Sequence, residues 1–253
     1  MITAVACFIF GACIGSFLNV CIYRIPKNIS IISPGSFCPF CHSKIPFYCN
    51  IPILSYIFLK GRCKSCKHLI SIRYPLIEIL TATLYILLFL KSGISFEMFY
   101  WCVFISVLII ISFIDMDYLI IPDRISLTGI FIFSSAFIFL PEMTLLQSLA
   151  GSLLGGGLLY TISVSYYFIK NKEGLGGGDV KLLAMIGAAL GVKGVLFSIF
   201  CGSMLGAFVG GMIIFFQKKD RNFQIPFAPF LSTGALIYIF YGNQLMRWYF
   251  NYY

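Results

Sequence analysis

Two aspartates in this sequence stand where an acid has chemistry to do. Asp115 closes an apolar run in Phe113-Ile114-Asp115-Met116-Asp117-Tyr118, and Asp179 opens another, directly after Gly174-Leu175-Gly176-Gly177-Gly178. A carboxylate on an apolar span is expensive to keep there and normally marks a function. Two such acids brought together share one proton, so that one activates a water while the other polarises a carbonyl, which is the chemistry of an aspartyl protease dyad. The two titrate as a unit, and either can serve as base. The glycines of 176–178 permit unusual backbone conformations and let a peptide or helix approach closely. A phosphate-binding loop is excluded, because an acid occupies the place where that pattern puts lysine. The competing reading is an ion-coupled transporter that uses both acids as cation ligands. It favours acids near mid-membrane and broken helices in inverted repeats, whereas Asp115 and Asp179 lie at span ends.

A second group of residues suits metal binding. Cys38-Pro-Phe-Cys41 and Cys63-Lys-Ser-Cys66 are two Cys-x-x-Cys knuckles. One thiolate pair at that spacing bends round a metal and two pairs complete a tetrahedral sulfur shell, so Zn²⁺ is the natural occupant. With four thiolates bound no position stays open for water, and the metal is structural. His42 and His68 each stand next to a knuckle and could replace a sulfur. A disulfide pairing is disfavoured in a loop that faces a reducing compartment. The scattered cysteines 7, 13, 21, 49, 102 and 201 behave as small apolar residues.

Other polar residues are placed more ambiguously. Glu78, in Tyr74-Pro75-Leu76-Ile77-Glu78, sits inside an apolar span; it is either half of an ion pair, with Arg73 or another base, or a substrate contact. Asp117 reads as solvated. Asp123 follows Pro122 at a helix entry, where both residue types are favoured.

Apolar helices must carry these groups. Sixty per cent of the residues are hydrophobic, 11% are charged and mean hydropathy is +0.95, the composition of a polytopic membrane protein. Runs compatible with bilayer crossing fall at about 2–23, 74–91, 97–114, 122–140, 144–169, 180–192, 194–216 and 227–249, so the expected fold is all-α with about eight transmembrane helices. A small cytoplasmic zinc-binding domain is expected at 24–73, between the first helix and a seven-helix membrane domain at 74–253. Residues 1–23 lack a basic stretch before the apolar run and read as a retained anchor rather than a cleaved signal. Gly11, Gly15 and Ser16 on it are spaced for close helix packing.

The basic residues orient this arrangement. The odd-numbered connections hold most of them, including Lys170, Lys172, Lys181, Lys218, Lys219 and Arg221; only Lys91, Lys193 and Arg247 lie on the other side. Odd loops are therefore expected to be cytoplasmic. The net charge of +9 is a topology signal rather than a nucleic-acid surface, which would cluster its bases on a soluble domain.

Read together, these motifs resemble the bacterial type IV prepilin peptidases, the leader peptidase/N-methyltransferases of the Gly-x-Gly-Asp aspartyl protease group. The likeness runs nearly end to end. It covers Gly15-Ser16-Phe17-Leu18-Asn19-Val20 with Tyr23-Arg24 and Pro26, both cysteine pairs, Asn50-Ile51-Pro52 and Ser55, and Gly61-Arg62-Cys63. It continues through Arg73-Tyr74-Pro75 with Glu78, Ile114-Asp115, Ile121-Pro122-Asp123, Gly176-Gly177-Gly178-Asp179 with Lys181-Leu182, and Ile225-Pro226-Phe227 with Pro229.

The resemblance implies an enzyme of the bacterial inner membrane with its active site facing the cytoplasm. Such an enzyme removes the basic leader of type IV prepilins or type II secretion pseudopilins after a glycine, then methylates the new N-terminus from S-adenosylmethionine. It implies Asp115 and Asp179 as catalytic, Cys38, Cys41, Cys63 and Cys66 as zinc ligands, and Gly61 and Arg62 as associated with methylation. Two positions depart from the family: Cys49 stands where an acid is frequent, and Ala228 where glycine is usual.

Overall fold

The computed structural model describes residues 2–170, 176–217 and 225–250. Gly174 and Leu175 of the glycine-rich turn, and the bases Lys172, Lys218, Lys219 and Arg221, lie outside the described residues. The expected all-α class holds. The α-helices are α1 (Ile2–Arg24), α2 (Leu54–Phe58), α3 (Arg73–Ser92), α4 (Phe96–Tyr118), α5 (Asp123–Phe133), α6 (Ala136–Phe139), α7 (Leu145–Lys170), α8 (Gly177–Gln217) and α9 (Ala228–Phe250). The only strand pairing among the described residues is two isolated bridges, Phe37 with Lys44 and Arg62 with Leu69.

Five helices, α1, α3, α4, α7 and Gly177–Ile213 of α8, are long and apolar enough to cross a bilayer, and the apolar stretch of α9, Ala228–Gly242, is shorter. The chain is an integral membrane protein. The stretch 122–140 differs from the single span expected of it. Its longer piece, α5, has 11 residues, about 16 Å of helix against a hydrocarbon core of about 30 Å. The break falls at two serines that turn back on their own helix: Ser134 Oγ donates to the Ile130 carbonyl (2.7 Å) and Ser135 Oγ to that of Ile132 (2.6 Å). Such bonds compete with the helical ladder. The expected spans 180–192 and 194–216 are the two helical parts of α8, separated at Gly191, whose non-helical φ of 70° and ψ of −172° are open to glycine.

The chain divides into two compact units, Met1–Ser106 and Val107–Tyr253. In the first, α1 packs on α3 through small residues. A Cβ on Gly11 would stand 2.8 Å from the Ala82 Cα, and one on Gly15 would stand 2.7 Å from the Glu78 Cα. Packing is thus the use of the glycines at this spacing. Asn19 locks the crossing, its Nδ2 donating to the carbonyls of Gly15 (3.2 Å) and Tyr74 (3.1 Å). Arg24 at the end of α1 is buried; it donates to the Ser30 (2.8 Å) and Gly35 (3.1 Å) carbonyls and lies over the Phe37 ring. It thereby ties the chain leaving the membrane to the first cysteine knuckle.

In the second unit α8 is the central element. Its first part crosses α7 backbone to backbone: a Cβ on Gly187 would overlap the Gly151 carbonyl, and one on Gly155 the Leu183 carbonyl. Ser148 Oγ donates to the Ala188 carbonyl at 2.6 Å across the same crossing. Beyond the bend α8 meets α9 in the same manner, with Gly234 against the Ser198 backbone and Gly202 against that of Leu231.

Candidate active site

The second unit brings Asp115 and Asp179 together. Asp115 occupies the last turn of α4 and is 6% exposed. Asp179 lies in the first turn of α8, half-buried, within electrostatic range of Asp115. One of the two carboxylates is held by a hydrogen bond. Asp115 Oδ2 accepts from the backbone N–H of Ala228 at 3.0 Å, the first residue of α9, and a helix N-terminus offers such unpaired donors. The Asp179 amide donates to the Gly176 carbonyl at 3.0 Å, which sets the turn that enters α8.

The three glycines before Asp179 do different things. None has a positive φ, so left-handed backbone is not their use here. Gly178 is required by proximity, since a Cβ there would stand 2.8 Å from Ile121 Cβ. A Cβ on Gly176 would come to 3.4 Å from Asp179 Oδ2, and one on Gly177 would meet nothing within 4 Å. Ile121 belongs to the turn between α4 and α5, so the turn that follows Asp115 packs directly on the turn that precedes Asp179. An ion pair closes the same junction, Lys181 Nζ to Asp123 Oδ1 at 2.6 Å. Its members are 35% and 60% exposed, which limits it to roughly 0–1 kcal/mol. Asp123, expected to serve a helix entry, does begin α5 and adds this cross-link.

In the first unit Cys38, Cys41, Cys63 and Cys66 converge, with their sulfurs all within 4.8 Å of one another. The Cys38 and Cys66 sulfurs are 3.9 Å apart, close to the ~3.8 Å edge of a sulfur tetrahedron with bonds of ~2.3 Å. The group could hold a metal ion. The two knuckles are built alike. The amide of Cys38 donates to the Ser43 carbonyl (3.0 Å) and that of His42 to the Cys38 carbonyl (2.9 Å); the amide of Cys63 donates to His68 (2.8 Å) and that of Lys67 to Cys63 (3.0 Å). His42 and Lys67 take matching positive φ of 54° and 61°. The Ser43 hydroxyl beside Cys41, aided by its backbone, lowers that thiol to about 6, favouring the thiolate a metal needs. His42 and His68 lie on Phe37 and Phe40 respectively, each in ring contact.

The same unit contains a cavity of about 730 Å³, walled by α1, both knuckles, the segment 49–59 and the start of α3, a size typical of small-molecule sites. Glu78 lines it, 7% exposed. Its donors are the Ile53 N–H, 2.7 Å from Oε2, and the Ser16 hydroxyl. Gly61, in the turn after α2, has φ of +66° and its Cβ position 3.0 Å from the Tyr56 ring, so glycine is needed there to start the second knuckle. Arg62 is exposed.

Comparison with known proteins places this arrangement. Residues 9–92 match the bacterial peptidase A24 N-terminal domain, and residues 102–211 match the type IV leader peptidase family. A prepilin leader peptidase/N-methyltransferase of Bacillus subtilis is 37% identical over 242 residues, 96% of each chain. Proteins of the same name from Aeromonas hydrophila and Legionella pneumophila are 32% and 31% identical, over 96% of this chain and 92% and 93% of theirs. The chain belongs to the type IV leader peptidase family. No solved structure gives a significant match.

Two contacts of this leader peptidase family site escaped the sequence. The Ala228 amide reaches Asp115 across 113 positions; the signal was the Ile225-Pro226-Phe227-Ala228-Pro229 stretch, whose prolines leave few amides free at the start of α9. Because the donor is backbone, alanine in place of the family's usual glycine leaves it intact. The Lys181–Asp123 pair had a signal too, opposite charges next to each expected acid, but no spacing rule links residues on different helices.

Proposed function

We infer that this protein is a membrane aspartyl endopeptidase that removes the basic leader of type IV prepilins or type II secretion pseudopilins after glycine, then methylates the new N-terminus. The observation that carries the peptidase half is the convergence of Asp115 and Asp179 at the ends of two apolar helices, one of them aimed by the Ala228 amide. In this reading one carboxylate takes a proton from water, which attacks the scissile carbonyl. The other, protonated, donates a hydrogen bond to the carbonyl oxygen and later a proton to the leaving amine. A prepilin has a basic leader outside the bilayer and an apolar helix within it, so its scissile bond lies at the membrane edge. The odd loops face the cytoplasm of a bacterial inner membrane on this account. The transporter reading is not favoured by the family to which the chain belongs.

The chain's roles divide along it: residues 24–73 serve metal binding and methylation, with Tyr74, Pro75 and Glu78 at the start of α3 lining the same cavity, the rest of 74–253 serves proteolysis, and residues 1–23 are an anchor. Cys38, Cys41, Cys63 and Cys66 hold a structural Zn²⁺, which pins the two knuckles together. The relatives' names include N-methyltransferase, and S-adenosylmethionine supplies the methyl group when bound. The cavity of the first unit has the size to admit it. Gly61 supports that wall by turning the chain into the second knuckle.

Purified protein in detergent, incubated with a full-length prepilin, converts it to the shorter mature form, and mass spectrometry of the new N-terminus reports both the cut and the methyl. An unchanged prepilin refutes the reading. Elemental analysis should find about one zinc per chain. Stripping it with a strong chelator should lower the melting temperature of the first unit, since structural zinc binding contributes on the order of 10 kcal/mol in small domains. Chelation without any thermal shift would count against a structural metal.

A further inference from the structure

We propose that Glu78 receives the freshly cut N-terminal amine in the cavity of the first unit and accepts its proton during methyl transfer. The proposal rests on the methyltransferase half of the function above. It starts from a feature of the sequence that the family likeness does not explain: Glu78 is the only acidic residue before position 97. The same stretch holds nine Lys and Arg residues, from Arg24 to Lys91, so a lone acid among them is conspicuous. It is not on the surface pairing with them; it is buried and lines the cavity.

Its surroundings hold it in place without consuming it. The Ile53 amide at 2.7 Å and the Ser16 hydroxyl occupy part of a carboxylate that offers about four acceptor positions. Ile53 is itself held unusually, with φ of 62° and ψ of −54°, and the next amide, that of Leu54, donates to the Pro52 carbonyl at 2.6 Å. This is a γ-turn of the strained hand, rare for any residue and costly for a β-branched one. Backbone strain of this kind persists where the surroundings over-determine it and clusters at working sites. Here the strained turn presents its N–H to the acid, and so fixes the direction in which the remaining oxygen positions face.

Methylation of an amine by a sulfonium donor needs such a group. The amine nitrogen forms a bond to the methyl carbon, the carbon–sulfur bond breaks with its electron pair passing to sulfur, and the nitrogen becomes a secondary ammonium. The nitrogen attacks only through a free lone pair, so the N-terminal ammonium must first lose one proton, and Glu78 takes it; charge and atoms balance with no further reactant. Other proton acceptors in the cavity suit the role less well. His68 is tilted by 31° against Phe40 with ring centroids 3.3 Å apart and belongs to the second knuckle. Arg24 and Lys64 are cationic, and their donors are engaged at carbonyls and at Tyr48. Cys49 provides no carboxylate, which leaves Glu78 alone among the lining residues to do so.

The test uses full-length Glu78→Gln beside the wild type, both in detergent with prepilin and S-adenosylmethionine. Glutamine keeps an oxygen for the Ile53 amide and removes the proton acceptor. The expected result is normal leader cleavage, unchanged zinc content and unchanged binding of radiolabelled S-adenosylmethionine in equilibrium dialysis, with methylation of the mature pilin slowed by about 10²-fold or more. Methylation at the wild-type rate overturns the proposal. Loss of S-adenosylmethionine binding also overturns it, by making Glu78 a cofactor contact, and loss of cleavage or zinc assigns it a purely structural role. A wild type that cuts and never methylates would instead sink the transferase reading, and this assignment with it.

Discussion

Asp115→Asn and Asp179→Asn each leave a prepilin at full length, with cleavage slowed by about 10³-fold or more, while the protein purifies and melts as the wild type does. The size of the effect follows from the shared proton: a dyad in which one member cannot ionise can neither generate the nucleophile nor return a proton to the leaving amine. Groups that act as a unit are non-additive. The double variant is therefore expected to be no slower than either single one, and rates that multiply would show the two acids working independently. The fold should survive, because an asparagine amide oxygen at 115 still accepts from the Ala228 amide. Detergent-purified variants assayed by gel shift and mass spectrometry settle the matter; processing at an undiminished rate by either removes both from the chemistry.

Gly187→Val is expected to produce the largest loss of stability among single changes remote from the acids. The α7–α8 crossing is made backbone to backbone, and a Cβ at 187 would occupy the position of the Gly151 carbonyl, while one at 151 would stand 2.7 Å from the Gly191 Cα. Neither neighbour is a flexible side chain that can step aside. Forced separation of the helices is expected to cost about 1–3 kcal/mol, read as a fall in melting temperature and a shift towards aggregation on extraction. Gly157→Ala on the same α7 is the control: its Cβ would meet nothing within 4 Å, and alanine favours helix, so stability should hold or rise slightly. Equal behaviour of the two variants would show that the close crossing does not limit stability.

The elements that carry chemistry were legible because the bilayer imposes its own rules. Apolar length gave both ends of α1, α3 and α7 to within a residue and the start of α4, which runs on from 114 to Tyr118, and paired Cys-x-x-Cys spacing gave the four-sulfur group. Acids at span ends stood out because charge is rare in this composition. What escaped were features decided by tertiary contact. The interruption at Ser134 and Ser135 depends on hydroxyls folding back on the helix, which hydropathy does not register. The break between the spans 180–192 and 194–216, by contrast, was legible, and the structure puts it at Gly191. Glu78 was weighed as half of an ion pair, yet takes its donors from a backbone amide and a hydroxyl, partners that no charge pattern announces. Of the two uses expected of the glycines before Asp179, unusual torsions and close approach, the structure shows the second, at Gly178, which leaves room for Ile121.

The amide that aims Asp115 belongs to residue 228, whereas the domain match to the type IV leader peptidase family covers residues 102–211. A fragment trimmed to that recognised stretch would keep both acids and every glycine of the turn, yet lose the clamp on one carboxylate. On the proposed dyad the C-terminal helix is working machinery rather than ballast, and a minimal version of this enzyme is expected to extend through it.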